Sequence, residues 1–150
     1  MESTMNWRLK ASLFFYILFV LITMPYSFIY LLQPEFMSHH AAAVGQNWAE
    51  VSPAFQGLIL GLMKAAGGAW LSIGIATTIL IIKTFRQGIL WAYWAIPAIG
   101  LPSALVNSYI GINMTLNTPA SPLWEIPVLA VLLLLFGFVL SMIPTAKLES

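Results

Sequence analysis

The sequence predicts an all-α integral membrane protein: a four-helix up-and-down bundle with a short interfacial helix in its first outer loop. Of the 150 residues, 60% are hydrophobic and only 7% are charged, and the mean hydropathy is +0.89. A water-soluble domain has charges on about a quarter of its residues, so this composition excludes that class. We expect a single transmembrane domain over residues 1–150.

Four apolar runs are each longer than the roughly 18 residues that distinguish a membrane-spanning helix from a buried helix. The spans are expected at about residues 9–32, 55–82, 89–112 and 123–143. We expect the first span to be retained, because its apolar run is too long for a signal peptide and no small-residue cleavage motif closes it. In the last connection, Ser121 and Pro122 predict the start of the fourth helix, with a capping hydroxyl before a proline at its first position.

The loop after the first span is the longest connection and is rich in alanine. Apolar and aromatic side chains recur there at helical spacing, at Phe36, Met37, His40 and Val44. Gly45 is expected to end this short helix, since glycine readily adopts the left-handed conformation found after helices. The pattern favours a helix lying in the outer interface and covering the outer mouth of the bundle.

The basic residues indicate the orientation. Arg8 and Lys10 precede the first span, Lys83 and Arg86 separate the second from the third, and Lys147 follows the fourth. The other two connections contain neither Lys nor Arg. Because cytoplasmic loops are enriched in Lys and Arg, we expect both termini in the cytoplasm. The expected location is a bacterial inner membrane.

Lys64 is the only charged residue well inside a span. An ionisable residue within a membrane indicates a functional site by default. The alternative is a structural lysine, whose long stem carries the ammonium group up to the outer headgroups or to a carboxylate on the outer side, at Glu35, Glu50 or Glu125. Both interpretations stay open at this point.

Two further patterns concern helix shape. Gly57, Gly61, Ala65 and Gly68 form a ladder of small residues that predicts a packing face, either within the bundle or between chains. The third span contains a predicted helix break at Pro97, Gly100 and Pro102. Such breaks expose carbonyl groups to a binding site in transporters, or they only shape a packed bundle.

The candidate ligand-binding residues all fall in the outer half of the chain's spans and loops: Lys64, His40, Glu50, Asn107 and Glu125. They predict an outward-facing polar pocket near Lys64. His39 and His40 are neighbours that point about 100° apart on a helix, so we expect no metal site. The chain has no cysteine, which excludes thiolate chemistry. No cofactor and no catalytic residue are expected.

The four-span layout, the long outer loop and the segment Gly67–Gly74 (GGAWLSIG) resemble small four-helix bacterial inner-membrane proteins of the DoxX-like kind. Many members of that group are uncharacterised. The resemblance implies an up-and-down bundle and supplies no catalytic residues that can be transferred to this sequence.

The sequence therefore favours a non-enzymatic membrane protein, either an accessory subunit or a bundle that binds a lipid or small molecule. The expected partners are membrane lipids and either a second copy of the chain or another membrane protein. Nucleic acid is not expected, because a net charge of +1 leaves no clustered basic face. One alternative is a small oligomeric transporter or channel for a neutral or anionic solute, since the deepest charge is cationic. Another is a membrane enzyme acting on a lipid or quinone.

Overall fold

The structure is a computed structural model that describes residues 5–143, and within that range it is helical and contains no strand. The helices are α1 (Trp7–Leu32), α2 (Ser38–Val44), α3 (Pro53–Lys83), α4 (Leu90–Asn117) and α5 (Glu125–Met142). Single 3₁₀ turns at Trp48–Glu50 and Phe85–Gln87 lie in two of the connections. The helices α1, α3, α4 and α5 are long and apolar enough to cross a membrane, which confirms four long apolar helices where the spans were predicted.

The four long helices surround a core of large apolar side chains. α1 packs along α3 and α5, and α4 packs along α5 and less extensively against α3. Tyr16, Phe19, Ile96 and Leu134 are completely buried among them. At Gly100 a Cβ atom would lie 2.7 Å from Leu134 Cδ1, so the absence of a side chain there is what allows α5 to approach α4.

α1 and α3 approach closely at two glycines that do not belong to the predicted ladder of small residues. A Cβ atom at Gly67 would lie 2.9 Å from the carbonyl oxygen of Ser27, and one at Gly74 would lie 2.6 Å from Met24 Cγ. These two glycines belong to the buried face of α3, whose positions alternate in steps of four and three residues: Met63, Gly67, Trp70, Gly74, Thr77 and Ile81.

The predicted ladder lies on a different face of α3. No atom of residues 5–143 lies within 4 Å of a Cβ atom added at Gly57, Gly61 or Gly68, and Ala65 is exposed. The interpretation of this ladder as a packing face inside the bundle is therefore wrong, because the face that contacts α1 is rotated away from it. Its interpretation as a contact between chains stays a prediction.

α4 is continuous across the predicted helix break. It is helical from Leu90 to Asn117, through both Pro97 and Pro102. Pro97 and Gly100 are buried against the neighbouring helices, whereas Pro102 is exposed. Tertiary packing thus holds the segment helical although each proline removes one backbone donor.

The short helix α2 lies where α1 ends and α3 begins, and we call this end of the bundle the α2 end. Gly45 follows α2 with φ 67°, in the left-handed conformation, which confirms its predicted position as the helix end. The loop is held to α3 by a small cluster of buried side chains, Phe36, Val51 and Met63. Phe36 also contacts Trp48 edge-on, with ring centroids 5.0 Å apart.

The last helix begins later than the sequence predicts. α5 starts at Glu125 rather than at Pro122, so that prediction is wrong by three residues. Trp124 precedes the helix, and residues 118–124 form a non-helical connection. The consequence is that this connection is free to line a cavity at the α2 end.

Candidate functional site

A cavity of about 580 Å³ lies at the α2 end, between α1, α2, α4 and the segment that leads into α5. It falls within the range of about 300–1,000 Å³ that is typical of small-molecule sites. Ile29 and Ile110 line it and are 49% and 48% exposed, so the cavity is open to the surface between helices. Both polar and apolar side chains line it, which suits a ligand with two chemically different parts.

α1 forms one wall of the cavity and presents polar groups to it from a single face of the helix. Tyr26, Tyr30 and Gln33 line the cavity, and intervals of four and three residues place them on one face of the helix. The hydroxyl of Tyr26 donates a hydrogen bond to the hydroxyl of Tyr30 over 3.1 Å. Their ring centroids are 4.9 Å apart, and the Tyr26 ring meets Trp70 edge-on at 6.1 Å. These contacts fix an aromatic wall.

The opposite wall depends on a close approach between α4 and the segment before α5. A Cβ atom at Gly111 would lie 2.8 Å from Trp124 Cβ, so only glycine leaves room for the tryptophan there. Trp124 and Gly111 both line the cavity. On the same helix the side-chain amide of Asn107 donates to the carbonyl oxygen of Ser103 over 2.9 Å. That bond uses one of the donor and acceptor positions of the amide and leaves the others available to a ligand.

The α2 side of the cavity contributes the two histidines. The Nδ1 atom of His40 accepts a hydrogen bond from the backbone amide of Met37 over 3.3 Å, so a neutral His40 carries its proton on Nε2. Burial, together with the neighbouring His39, lowers the pKa of His40 from 6.5 to about 4. Burial also lowers the pKa of His39. At neutral pH both rings are therefore uncharged.

Two of the five candidate residues line this cavity, namely His40 and Asn107. The other three lie outside it. Lys64 is exposed, and its ammonium group donates to the carbonyl oxygen of Leu31 over 2.9 Å. Glu50 is exposed and accepts from the backbone amide of Asn47 over 2.8 Å. Glu125 lies in the first turn of α5 and is exposed.

The aromatic walls were not among the sequence-derived candidates. Tyr26 and Tyr30 lie in an apolar run, where a tyrosine does not by itself indicate a binding site. The signal that identifies them is their spacing with Gln33 on one helical face. Trp124 was not singled out as a site residue from the sequence either. Its place in the cavity follows from the late start of α5, which the sequence does not reveal.

Within residues 5–143, no three histidine, cysteine, aspartate or glutamate side chains come together in a group that could hold a metal ion. Comparisons with known protein families, with curated proteins and with solved structures find no match to the chain. Any functional conclusion therefore depends on the cavity and its chemistry.

Proposed function

We propose that the protein is an integral membrane four-helix bundle that binds an amphiphilic small molecule in the cavity at the α2 end. The proposal depends on that single feature: an open cavity with polar groups on α1, α2 and α4 and apolar side chains beside them. Such a site suits a molecule whose apolar part stays in the lipid while its head group is hydrogen-bonded.

Charge distribution supports an outward-facing cavity. Arg8 and Lys10 lie at the start of α1, and Lys83 and Arg86 lie around the turn between α3 and α4, at the end of the bundle remote from α2. By the positive-inside rule that end is cytoplasmic. The cavity then opens toward the outer face of a bacterial inner membrane, with α2 in the outer interface and both termini inside.

A binding role without catalysis agrees with the chemistry of the lining side chains. The Nδ1 atom of His40 is already used by the amide of Met37, and the low pKa of this histidine makes it a weak base at neutral pH. General acid–base catalysis works best with a group whose pKa lies near the operating pH. An enzyme acting on a lipid or quinone therefore has less support than a binding protein.

A second candidate function is a small transporter or an accessory subunit that works in an assembly. It is supported by the exposed face of small residues on α3, Gly57, Gly61 and Gly68, since such faces allow helices to approach closely in membranes. The resemblance to DoxX-like proteins stays a prediction, and the proposed binding role does not depend on it.

Native mass spectrometry of the protein, extracted gently from its own membranes, tests the proposal. We expect a reproducible small amphiphile bound in a fixed ratio to each chain. A stoichiometric partner protein with no bound small molecule would contradict a binding role for the isolated chain and would favour the accessory subunit.

A further inference from the structure

The cavity carries one formal charge that the proposed function leaves without a role. Glu35 lines it and is exposed at its rim. No Lys or Arg is among the lining residues, and both histidines are neutral at pH 7 because burial lowers their pKa values. Among the described residues that line the cavity, the Glu35 carboxylate is therefore the only formal charge.

We infer that the cavity selects an amphiphile whose head group is positively charged, with Glu35 and the aromatic wall of Tyr26 and Tyr30 as the recognising groups. The inference rests on the proposed binding function and names the ligand class for that same site. Ammonium groups are attracted both by a carboxylate and by the faces of aromatic rings.

Lys64 is not among the side chains that line the cavity. For the alternative of a transporter, the sequence favoured a neutral or anionic solute because Lys64 is the deepest charge, but its ammonium group donates to the carbonyl oxygen of Leu31 and it does not line the cavity. The reason for expecting an anion therefore does not apply to this site.

An anionic head group would be poorly accommodated. A phosphate or sulfate in the cavity would lie near Glu35 with no lining Lys, Arg or charged histidine to compensate it, and an uncompensated charge is costly to remove from water. The helix dipoles do not change this balance. α1 and α4 end at the α2 end of the bundle, α3 and α5 begin there, and the short α2 both begins and ends there, so partial charges of both signs meet and largely offset one another.

The polar and apolar parts of the cavity give such a ligand a defined orientation. Its cationic head would lie between Glu35 and the tyrosines, which are tied together by the 3.1 Å hydrogen bond between their hydroxyl groups. Its chain would extend past Ile29 and Ile110, the exposed side chains where the cavity opens. From there the chain can continue into lipid.

Three probes with one chain length and different head groups test the inference: decyltrimethylammonium, the uncharged decyldimethylamine oxide and decyl sulfate. Binding is measured at pH 7 to the full chain in phosphatidylcholine nanodiscs, in excess of binding to empty nanodiscs. We expect the cation to bind most tightly and the sulfate least tightly. The net charge of the chain is +1, so general attraction does not favour the cation.

Two matched variants separate recognition from non-specific effects. Glu35→Gln removes the rim charge and should weaken binding of the cation about two- to fivefold, the range expected for one exposed ion pair, while binding of the amine oxide stays the same. Glu50→Gln removes an exposed carboxylate of the same loop that lies outside the cavity and should change neither.

The outcomes distinguish a failure of the charge selection from a failure of the proposed binding function. Tighter binding of decyl sulfate than of the cation, or cation binding that is the same in Glu35→Gln, overturns the charge selection and leaves the proposed function standing. Absence of saturable binding for all three probes overturns the proposed function together with the charge selection.

Discussion

The ammonium group of Lys64 donates a hydrogen bond to the carbonyl oxygen of Leu31 over 2.9 Å and so joins α3 to the last turn of α1. The last carbonyl groups of a helix have no partner within the helix, so the lysine satisfies an acceptor that would otherwise need water. The side chain is exposed and acts as a structural contact between helices at the α2 end.

Replacing this lysine should affect stability and leave binding unchanged. Lys64→Met keeps a long flexible side chain but loses a hydrogen bond from a charged donor, which is worth on the order of 1 kcal/mol. We expect a slightly lower melting temperature in detergent and unaltered binding of the amphiphile. Lys83→Met, an exposed lysine at the other end of α3, is the control. Loss of ligand binding in Lys64→Met with the fold intact would contradict this role.

The two sets of glycines on α3 should respond in opposite ways to alanine. Gly67→Ala places a Cβ atom 2.9 Å from the backbone oxygen of Ser27, and overpacking of this kind costs about 1–3 kcal/mol. Gly61→Ala meets no atom within 4 Å and gains up to about 1 kcal/mol of helix propensity. Thermal unfolding in detergent compares the two.

Equal destabilisation by both substitutions would contradict this assignment of faces. If copies of the chain associate through the exposed face, Gly61→Leu should reduce cross-linking between copies in native membranes while the melting temperature of the monomer stays the same. That readout separates an intermolecular contact from packing within the bundle.

Sequence reasoning identified the spans and the short helix because long apolar runs and helical spacing depend on local residues alone. It failed at the rotation of each helix about its own axis. The sequence predicted a packing face at Gly57 and Gly61, whereas the contact with α1 is made at Gly67 and Gly74, and only packing against Met24 and Ser27 reveals this.

The site was only partly predicted, because the rotation of each helix also decides which side chains reach the cavity. His40 and Asn107 were identified because they are polar and lie on the side that the charge pattern places outside. Lys64 was grouped with them because of its depth in the membrane, although its side chain reaches the carbonyl oxygen of Leu31. Trp124 could not be assigned to a cavity without knowing that α5 begins at Glu125.

The local stability of α2 should depend on pH through His40. The pKa of this side chain is about 4 in the folded protein against an ordinary value of 6.5, so the unfolded segment binds more protons between these values. Stability is therefore fully present above about pH 6.5 and falls as the pH decreases toward 4. Protonation also removes the Nδ1 acceptor of the Met37 amide.

Hydrogen exchange of the α2 amides at pH 7 and pH 5, corrected for intrinsic rates, measures this effect. We expect lower protection at pH 5 in the native chain. In His40→Gln the difference should be much smaller, because glutamine keeps an acceptor for the Met37 amide and does not titrate. A pH response of the same size in His40→Gln would contradict the assignment to His40.

The proposed orientation can be tested with single cysteines, since the chain has none of its own. A cysteine at Asn117, at the α2 end, should react with a membrane-impermeant maleimide in intact cells. A cysteine at Gln87, in the turn before α4, should react only after permeabilisation. The reverse pattern would contradict an outward-facing cavity.

A side chain that fills the cavity should abolish ligand binding there. Asn107 lines the cavity and Asn117 does not, yet both side-chain amides donate over 2.9 Å to the carbonyl four residues earlier on α4. Asn107→Phe and Asn117→Phe therefore lose the same local bond, and only the first occupies the site. We predict that the co-purified amphiphile seen by native mass spectrometry is lost from Asn107→Phe and retained by Asn117→Phe, with both variants folded. Retention of the amphiphile by folded Asn107→Phe would contradict binding at this site.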